Sequence, residues 1–216
     1  MNDARATGES RERLLDAAER LFGELGFDGV GMRALADEAG VNLGAATYHF
    51  GGKQRLYEAT LLRRFQPTQR ERSALLTRAE EAAGEAVVPL EVVLDCFLRP
   101  PFMTSKKHPN FVRFLSRNLF MPPPFMVDVI RRETAEEMMR FGRAFSRALP
   151  DVPFEVLRSR IHFCLGALLV SAGRPAPMFE GEVGPSAEET LKDLVAFCAA
   201  GLRHGGPISG EEAPSP

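Results

Sequence analysis

The stretch Val41-Asn42-Leu43-Gly44-Ala45-Ala46-Thr47-Tyr48-His49-Phe50-Gly51-Gly52-Lys53 decides how this chain is read. Asn42 is an N-cap residue type, and the residues after it carry a short helix through His49 before Gly51 and Gly52 break it. A long helix then starts near Lys53. Working upstream, Gly40 closes another short helix, from about Met32 to Ala39, with Leu35 and Ala36 turned inward. Before that, Leu14, Leu15, Ala18, Leu21, Phe22 and Leu25 recur at the 3.6-residue period. Ser10 is a candidate cap for this first helix, and Gly26 its stop. Residues 10–50 therefore hold three short helices, the last two separated by a tight turn, which is the helix-turn-helix layout.

The helix after Asn42 has the composition of an element that enters the DNA major groove. Gly44, Ala45 and Ala46 are small and allow close approach, and an alanine can meet a thymine methyl. Leu43 shares this face. Asn42 and Thr47 are short polar groups suited to base edges or phosphates. The Tyr48 hydroxyl can donate to a phosphate oxygen. Lys53 stands at a helix start, where its charge and free backbone amides can share a phosphate. Arg33, in the second helix, is placed to touch the DNA backbone. His49 is open to a phosphate contact or to packing, and Ala46 to groove or core. Phe22, Leu35, Val41, Phe50 and Leu56 read as core.

These motifs occur in order and at matching spacing in one family. Leu21, Phe22, Gly26 and Phe27, then Met32 to Val41, then Gly44, Tyr48, His49, Phe50, Lys53, Leu56 and Tyr57 resemble the DNA-binding head of TetR/AcrR regulators. The wording around Asn42 to Phe50 looks most like the CecR-like and fatty-acid-regulator-like branches. The resemblance covers residues 11–65. It implies an all-α chain with an N-terminal three-helix helix-turn-helix domain and a C-terminal helical ligand-binding and dimerisation domain. It further implies a homodimer on a palindromic double-stranded DNA operator, repression as the family's habit, and release by a small-molecule effector.

The boundaries read as a disordered arm over 1–9, the DNA-binding domain over 10–57, the ligand-binding and dimerisation domain over 58–205, and a disordered tail over 206–216. In the second domain Pro67 marks a kink in the long helix, static or hinged. Pro89 begins the next helix, which is expected to end before Pro100 and Pro101. Further helices are expected over about 110–120, 125–149, 154–173 and 186–203, with a Pro/Gly-rich loop over 174–185. Ser186 and Glu189 form a capping box for the last. No alternating strand pattern is present.

In the family, two C-terminal helices from each subunit form the dimer. Here Leu157, Ile161, Leu165 and Leu168 on one and Leu191, Leu194, Val195 and Cys198 on the other are the expected interface, with Gly166 and Ala167 permitting close approach. Phe97, Phe102, Phe111, Phe114, Met138, Phe141 and Phe163 are the candidate pocket residues, since Met and Phe line adaptable apolar sites, although such stripes also serve as plain core. Residues 99–143 hold nine Lys/Arg against four Asp/Glu. Arg117, with Arg113, Arg131 and Arg132, is thus either a basic rim suited to a fatty acid or acyl-CoA, or solvated surface.

Composition sets the remaining bounds. The chain has 216 residues, 44% hydrophobic and 26% charged, which is a globular balance. Cys96, Cys164 and Cys198 form no CxxC motif, and the four histidines have no metal spacing, so no cofactor or metal is expected. No nucleophile motif, P-loop or dinucleotide fingerprint points to an enzyme. No signal peptide or membrane span is read, so the expected location is the cytoplasm. One observation opposes the DNA reading: residues 1–66 hold nine Lys/Arg and ten Asp/Glu, whereas 31–64 hold five and three. A protein-binding module that kept the fold without DNA binding is the rival reading. The acids of the first helix are expected to face away from DNA.

Overall fold

A computed structural model describes residues 2–173 and 185–204, with side chains from Thr7 onward. Among the described residues it holds nine α-helices: α1 Asn2–Leu25, α2 Met32–Ala39, α3 Leu43–Phe50, α4 Lys53–Ala83, α5 Leu90–Lys107, α6 Pro109–Phe120, α7 Pro124–Ala148, α8 Phe154–Ala172 and α9 Ala187–His204. No strand occurs among them, so the all-α expectation stands. None of these helices is long and apolar enough to cross a membrane. The expected tail and most of the 174–185 loop lie outside the described residues.

Two helix boundaries differ from the sequence reading. α1 begins at Asn2, so Ser10 lies inside it rather than capping it, and residues 2–9 are helical rather than a loose arm. The local sequence carries alanine, arginine and glutamate, good helix formers, and its one glycine costs only about 1 kcal/mol. α5 does not stop before Pro100 but runs through Pro100 and Pro101 to Lys107. Pro101 lacks the N–H that would bond the carbonyl four residues back. That carbonyl, on Phe97, instead accepts a hydrogen bond from Arg72 Nε at 2.7 Å. The Arg72 guanidinium also lies 4.3 Å from the centre of the Phe97 ring. A buried arginine thus fills the gap that proline leaves in the helix ladder.

The chain forms two compact units, and neither is a continuous segment. The first comprises Met1–Glu71 with Met103–Glu137, and the second Arg72–Phe102 with the described part of Met138–Pro216. Both differ from a division at residue 57, because α6 and the start of α7 join the head.

In the first unit Leu14, Leu15, Ala18 and Phe22 of α1 meet Leu35 and Ala36 of α2, Ala46 and Phe50 of α3, Leu56, Tyr57 and Leu61 of α4, Phe111 and Phe114 of α6, and Met126 of α7. Its centre is aromatic. Tyr57 lies 4.6 Å from Phe22 and 4.8 Å from Phe114, and Phe27 lies 4.9 Å from Phe125, all ring centre to ring centre. Such tilted and edge-on pairs each add about 0.5–1.5 kcal/mol beyond area burial. Phe111 and Phe114 therefore pack into the core of the helix-turn-helix head. Arg117, on the same helix, bonds the end of α1: Nε to Gly23 O at 3.0 Å and Nη2 to Glu24 O at 2.9 Å. It satisfies carbonyls that a helix terminus leaves without partners.

In the second unit Phe97 and Phe102 of α5 and Phe141 and Phe145 of α7 are fully buried. Met138 is half-buried. α8 packs on α9. Leu157, Cys164 and Leu168 of α8 and Leu191, Leu194, Val195 and Cys198 of α9 are buried inside one chain. Arg160 Nη1 donates to Leu202 O at 2.6 Å, tying the two helices together. The last helix opens on the expected capping box. Ser186 N donates to Glu189 Oε2 at 2.8 Å, and Glu189 N donates back to Ser186 Oγ at 3.3 Å.

Candidate nucleic-acid interface

The turn between α2 and α3 is built by Gly40, which takes φ 63°, ψ 39°. Its N–H bonds Asp37 O at 3.1 Å and the Val41 N–H bonds Ala36 O at 3.0 Å, the paired bonds of a Schellman cap. A β-carbon is strained in that conformation, so glycine belongs there. One residue on, Asn42 caps α3, its Oδ1 accepting from Ala45 N at 2.7 Å. α3 is therefore set by two local devices, both present in the quoted sequence.

Its two faces are distinct. Ala46 and Phe50 are buried and hold α3 to the core, so Ala46 takes the core role rather than the groove role. Asn42, Leu43, Gly44, Thr47 and Tyr48 are exposed, Tyr48 by 83%. Ala45 and His49 are half-buried, and Arg33 of α2 is exposed. The outward face is thus small at its N-terminal end and carries a phenol at its C-terminal end.

Lys53 is engaged elsewhere. Its Nζ donates to Phe27 O at 3.1 Å and lies 4.1 Å from the centre of the Phe27 ring. Instead of reaching out from the α4 start, it pins that start to the loop after α1. Sequence spacing cannot anticipate this bond, because its partner lies 26 residues away.

The acids of α1 face α4. Arg63 Nη1 lies 2.8 Å from Asp16 and its Nη2 2.6 Å from Glu19, which is buried; Arg64 Nε reaches Glu19 at 3.3 Å. Burial works against the Arg63 charge, but the bonds and charges of Glu19 and Asp16 outweigh it and hold its pKa above the ordinary value. Arg20 pairs with Glu38 and with Glu24. The negative count of the head is therefore largely spent in internal pairs.

The candidate pocket residues are divided between the two units. Phe111, Phe114 and Arg117 belong to the first unit and Phe97, Phe102, Met138 and Phe141 to the second, while Phe163 is 72% exposed on α8. Arg131 and Arg132 are exposed and paired with Asp128 and with Glu58 and Glu133, and Arg113 is exposed near Glu24. An open polar cleft of about 330 Å³, lined by Arg13, Asp16, Arg20, Glu38 and Asn110, lies in the first unit.

Leu157, Leu168, Leu191, Leu194, Val195 and Cys198 are buried within one chain, and Ile161 and Leu165 are half-buried. Other apolar residues of these two helices are exposed, most of all Phe163, Val170 and Phe197, the last 71% exposed. Phe163 and Val170 are seven residues apart, so they lie on one helix face. Their signal in the sequence is an apolar residue on the side opposite the buried stripe.

Residues 14–60 match the family described as bacterial regulatory proteins, tetR family, and residues 95–201 match the tetracyclin repressor-like C-terminal domain. With a helix-turn-helix head and this second match, the chain belongs to the TetR family, a family of regulators and not of enzymes. The HTH-type transcriptional regulator LmrA of Bacillus subtilis is 46% identical over 50 residues, 23% of this chain and 27% of that protein. The HTH-type transcriptional dual regulator CecR of Shigella flexneri is 28% identical over 121 residues, 53% of each chain. These matches span between a quarter and about half of the relatives' own length. The crystal structure of HlyIIR, a hemolysin II transcriptional regulator, shares the fold over 91% of this chain and 98% of that one, with a TM-score of 0.62 at 19% identity.

Proposed function

We propose that this chain is a ligand-responsive transcriptional repressor that binds a palindromic operator as a homodimer. The observation that carries the reading is the outward face of α3: Asn42, Leu43, Gly44, Thr47 and Tyr48 lie exposed on a helix anchored by Ala46 and Phe50. Gly44 and its neighbours allow the backbone close to base edges, Thr47 offers a hydroxyl, and Tyr48 reaches a phosphate. Arg33 supports from α2, and His49 lies at the end of the helix. The second copy docks on Phe163, Val170 and Phe197, which a single chain leaves in water. A two-fold pair places two copies of α3 in successive major grooves, about 34–36 Å apart.

The effector of this reading is a small apolar or amphipathic molecule, with a fatty acid or acyl-CoA as the first class to test. Its support is the aromatic core of the second unit, Phe97, Phe102 and Phe141 with Met138 beside them. The ligand must bind the DNA-free state more tightly for release to follow.

A gel shift on the DNA upstream of the chain's own gene, at two salt concentrations, tests the reading. Binding that weakens with salt and is lost in Tyr48→Ala is expected. Tyr48→Ala should leave the melting temperature near that of the wild type, because the side chain is exposed. Absence of binding at low salt would overturn DNA binding and favour a protein-binding module. A melting-temperature rise with acyl-CoAs, and DNA release by the same compounds, is expected for the effector; no shift with any of them overturns that class.

A further inference from the structure

We propose that Arg55 is a DNA-phosphate-binding residue of this chain, lying beside Gly51 at the C-terminal end of α3. The inference rests on the reading of α3 as the groove-facing helix and names the cation that works beside it.

Five basic residues lie in the 31–64 window: Arg33, Lys53, Arg55, Arg63 and Arg64. Three are engaged inside the head. Arg63 and Arg64 hold Asp16 and Glu19, and Lys53 donates to the Phe27 carbonyl. Arg55 is exposed, and no hydrogen bond or carboxylate partner engages it among the described residues. Its position is nonetheless defined. A methyl group placed on Gly51 would lie 3.4 Å from Arg55 Nη1 and 3.7 Å from its Cδ, so the side chain folds back over Gly51. Gly51 is the residue that closes α3, with φ 71° and its N–H on Thr47 O at 2.7 Å. The direction agrees with the general tilt of helical side chains toward the helix N-terminus.

The guanidinium is therefore carried to the end of α3 where Tyr48 is exposed. A planar fork of donors at that edge matches phosphate oxygens. The alternative is that Arg55 only complements the negative end of the α3 dipole and so contributes to folding alone. The two roles differ in salt dependence, because only a phosphate contact releases counterions from DNA.

The test uses the full chain with two fluorescein-labelled duplexes, one carrying the DNA upstream of its own gene and one of unrelated mixed sequence. Affinity is followed by anisotropy across a salt series for wild type, Arg55→Ala and Arg55→Lys, with thermal unfolding of each. For Arg55→Ala the slope of log affinity against log salt should become shallower by about 0.9 per protomer. Between about 50 and 200 mM salt, that is a three- to fourfold smaller loss of affinity per protomer. Both duplexes should weaken alike at low salt, and Arg55→Lys should keep most of the slope. If Arg55→Ala keeps the wild-type slope while wild type binds with clear salt dependence, Arg55 is only a helix-end charge and the proposal fails. If wild type binds neither duplex, the reading of α3 fails and this inference with it.

Discussion

Arg117 closes the end of a helix 94 residues upstream of it: its Nε donates to Gly23 O at 3.0 Å, with a second bond from Nη2 to the next carbonyl at 2.9 Å. Together with Phe114 packing on Phe22 and Tyr57, this bond makes α6 part of the helix-turn-helix head. Arg117→Ala removes two hydrogen bonds from a charged donor, each worth about 1.5–3 kcal/mol in a buried setting and less here, where one is exposed. A loss of about 2 kcal/mol in urea unfolding is expected. An unchanged midpoint would show that solvent replaces the guanidinium without loss.

The pairing of Arg72 with Phe97 across the missing Pro101 N–H predicts a double-mutant result. Arg72→Ala leaves a buried carbonyl without its donor, which costs about 1–3 kcal/mol. Adding Pro101→Ala restores a backbone N–H four residues from Phe97, so the double variant should recover part of that loss. Equal stability of the single and double variants, measured by chemical unfolding, would show that the ladder gap does not govern the role of Arg72.

The proposed docking of a second copy on Phe163 and Phe197 predicts variants that separate dimerisation from folding. Each is about seven-tenths exposed in one chain, so Phe197→Glu or Phe163→Asp should change monomer stability by only about 0.5 kcal/mol. Light scattering should nevertheless report a monomer. Leu191→Ala is the contrasting variant: the residue is fully buried, and a loss of about 2–5 kcal/mol in folding is expected. A dimer that survives Phe197→Glu would place the interface elsewhere.

The acid side of the stability curve follows from Glu91. Its hydrogen bond to Arg203, with Nη2 at 2.9 Å, lowers the carboxyl below its ordinary value of 4.5. A lowered folded-state pKa means that the unfolded chain takes up the proton first. The stabilisation is therefore present above pH 4.5 and fades as pH falls through the folded value. Glu91→Gln should be less stable than wild type near neutrality, and the gap should close below that point. A gap that stays constant with pH would assign the effect to packing.

Features built from near neighbours were readable from the residues alone. Asn42 caps α3 through Ala45, Gly40 takes the left-handed turn, and Ser186 and Glu189 bond each other. Each is a backbone rule acting over three or four residues, so its outcome does not depend on the rest of the chain. The order and type of the helices, and the small outward face of α3, belong to the same class. Tertiary structure alone decided which partner each surface meets. An amphipathic helix shows that it has an apolar face but not what covers that face, so Phe111 and Phe114 went to the head and Phe97 and Phe141 to the second unit. α8 and α9 carry apolar residues on two sides, and only their packing on each other turned Leu157 and Leu191 inward and left Phe163 and Phe197 in water. Charges follow the same logic: Lys53 met Phe27 and Arg63 met Asp16 and Glu19, because three-dimensional proximity, not spacing along the chain, chooses the partner of a long side chain.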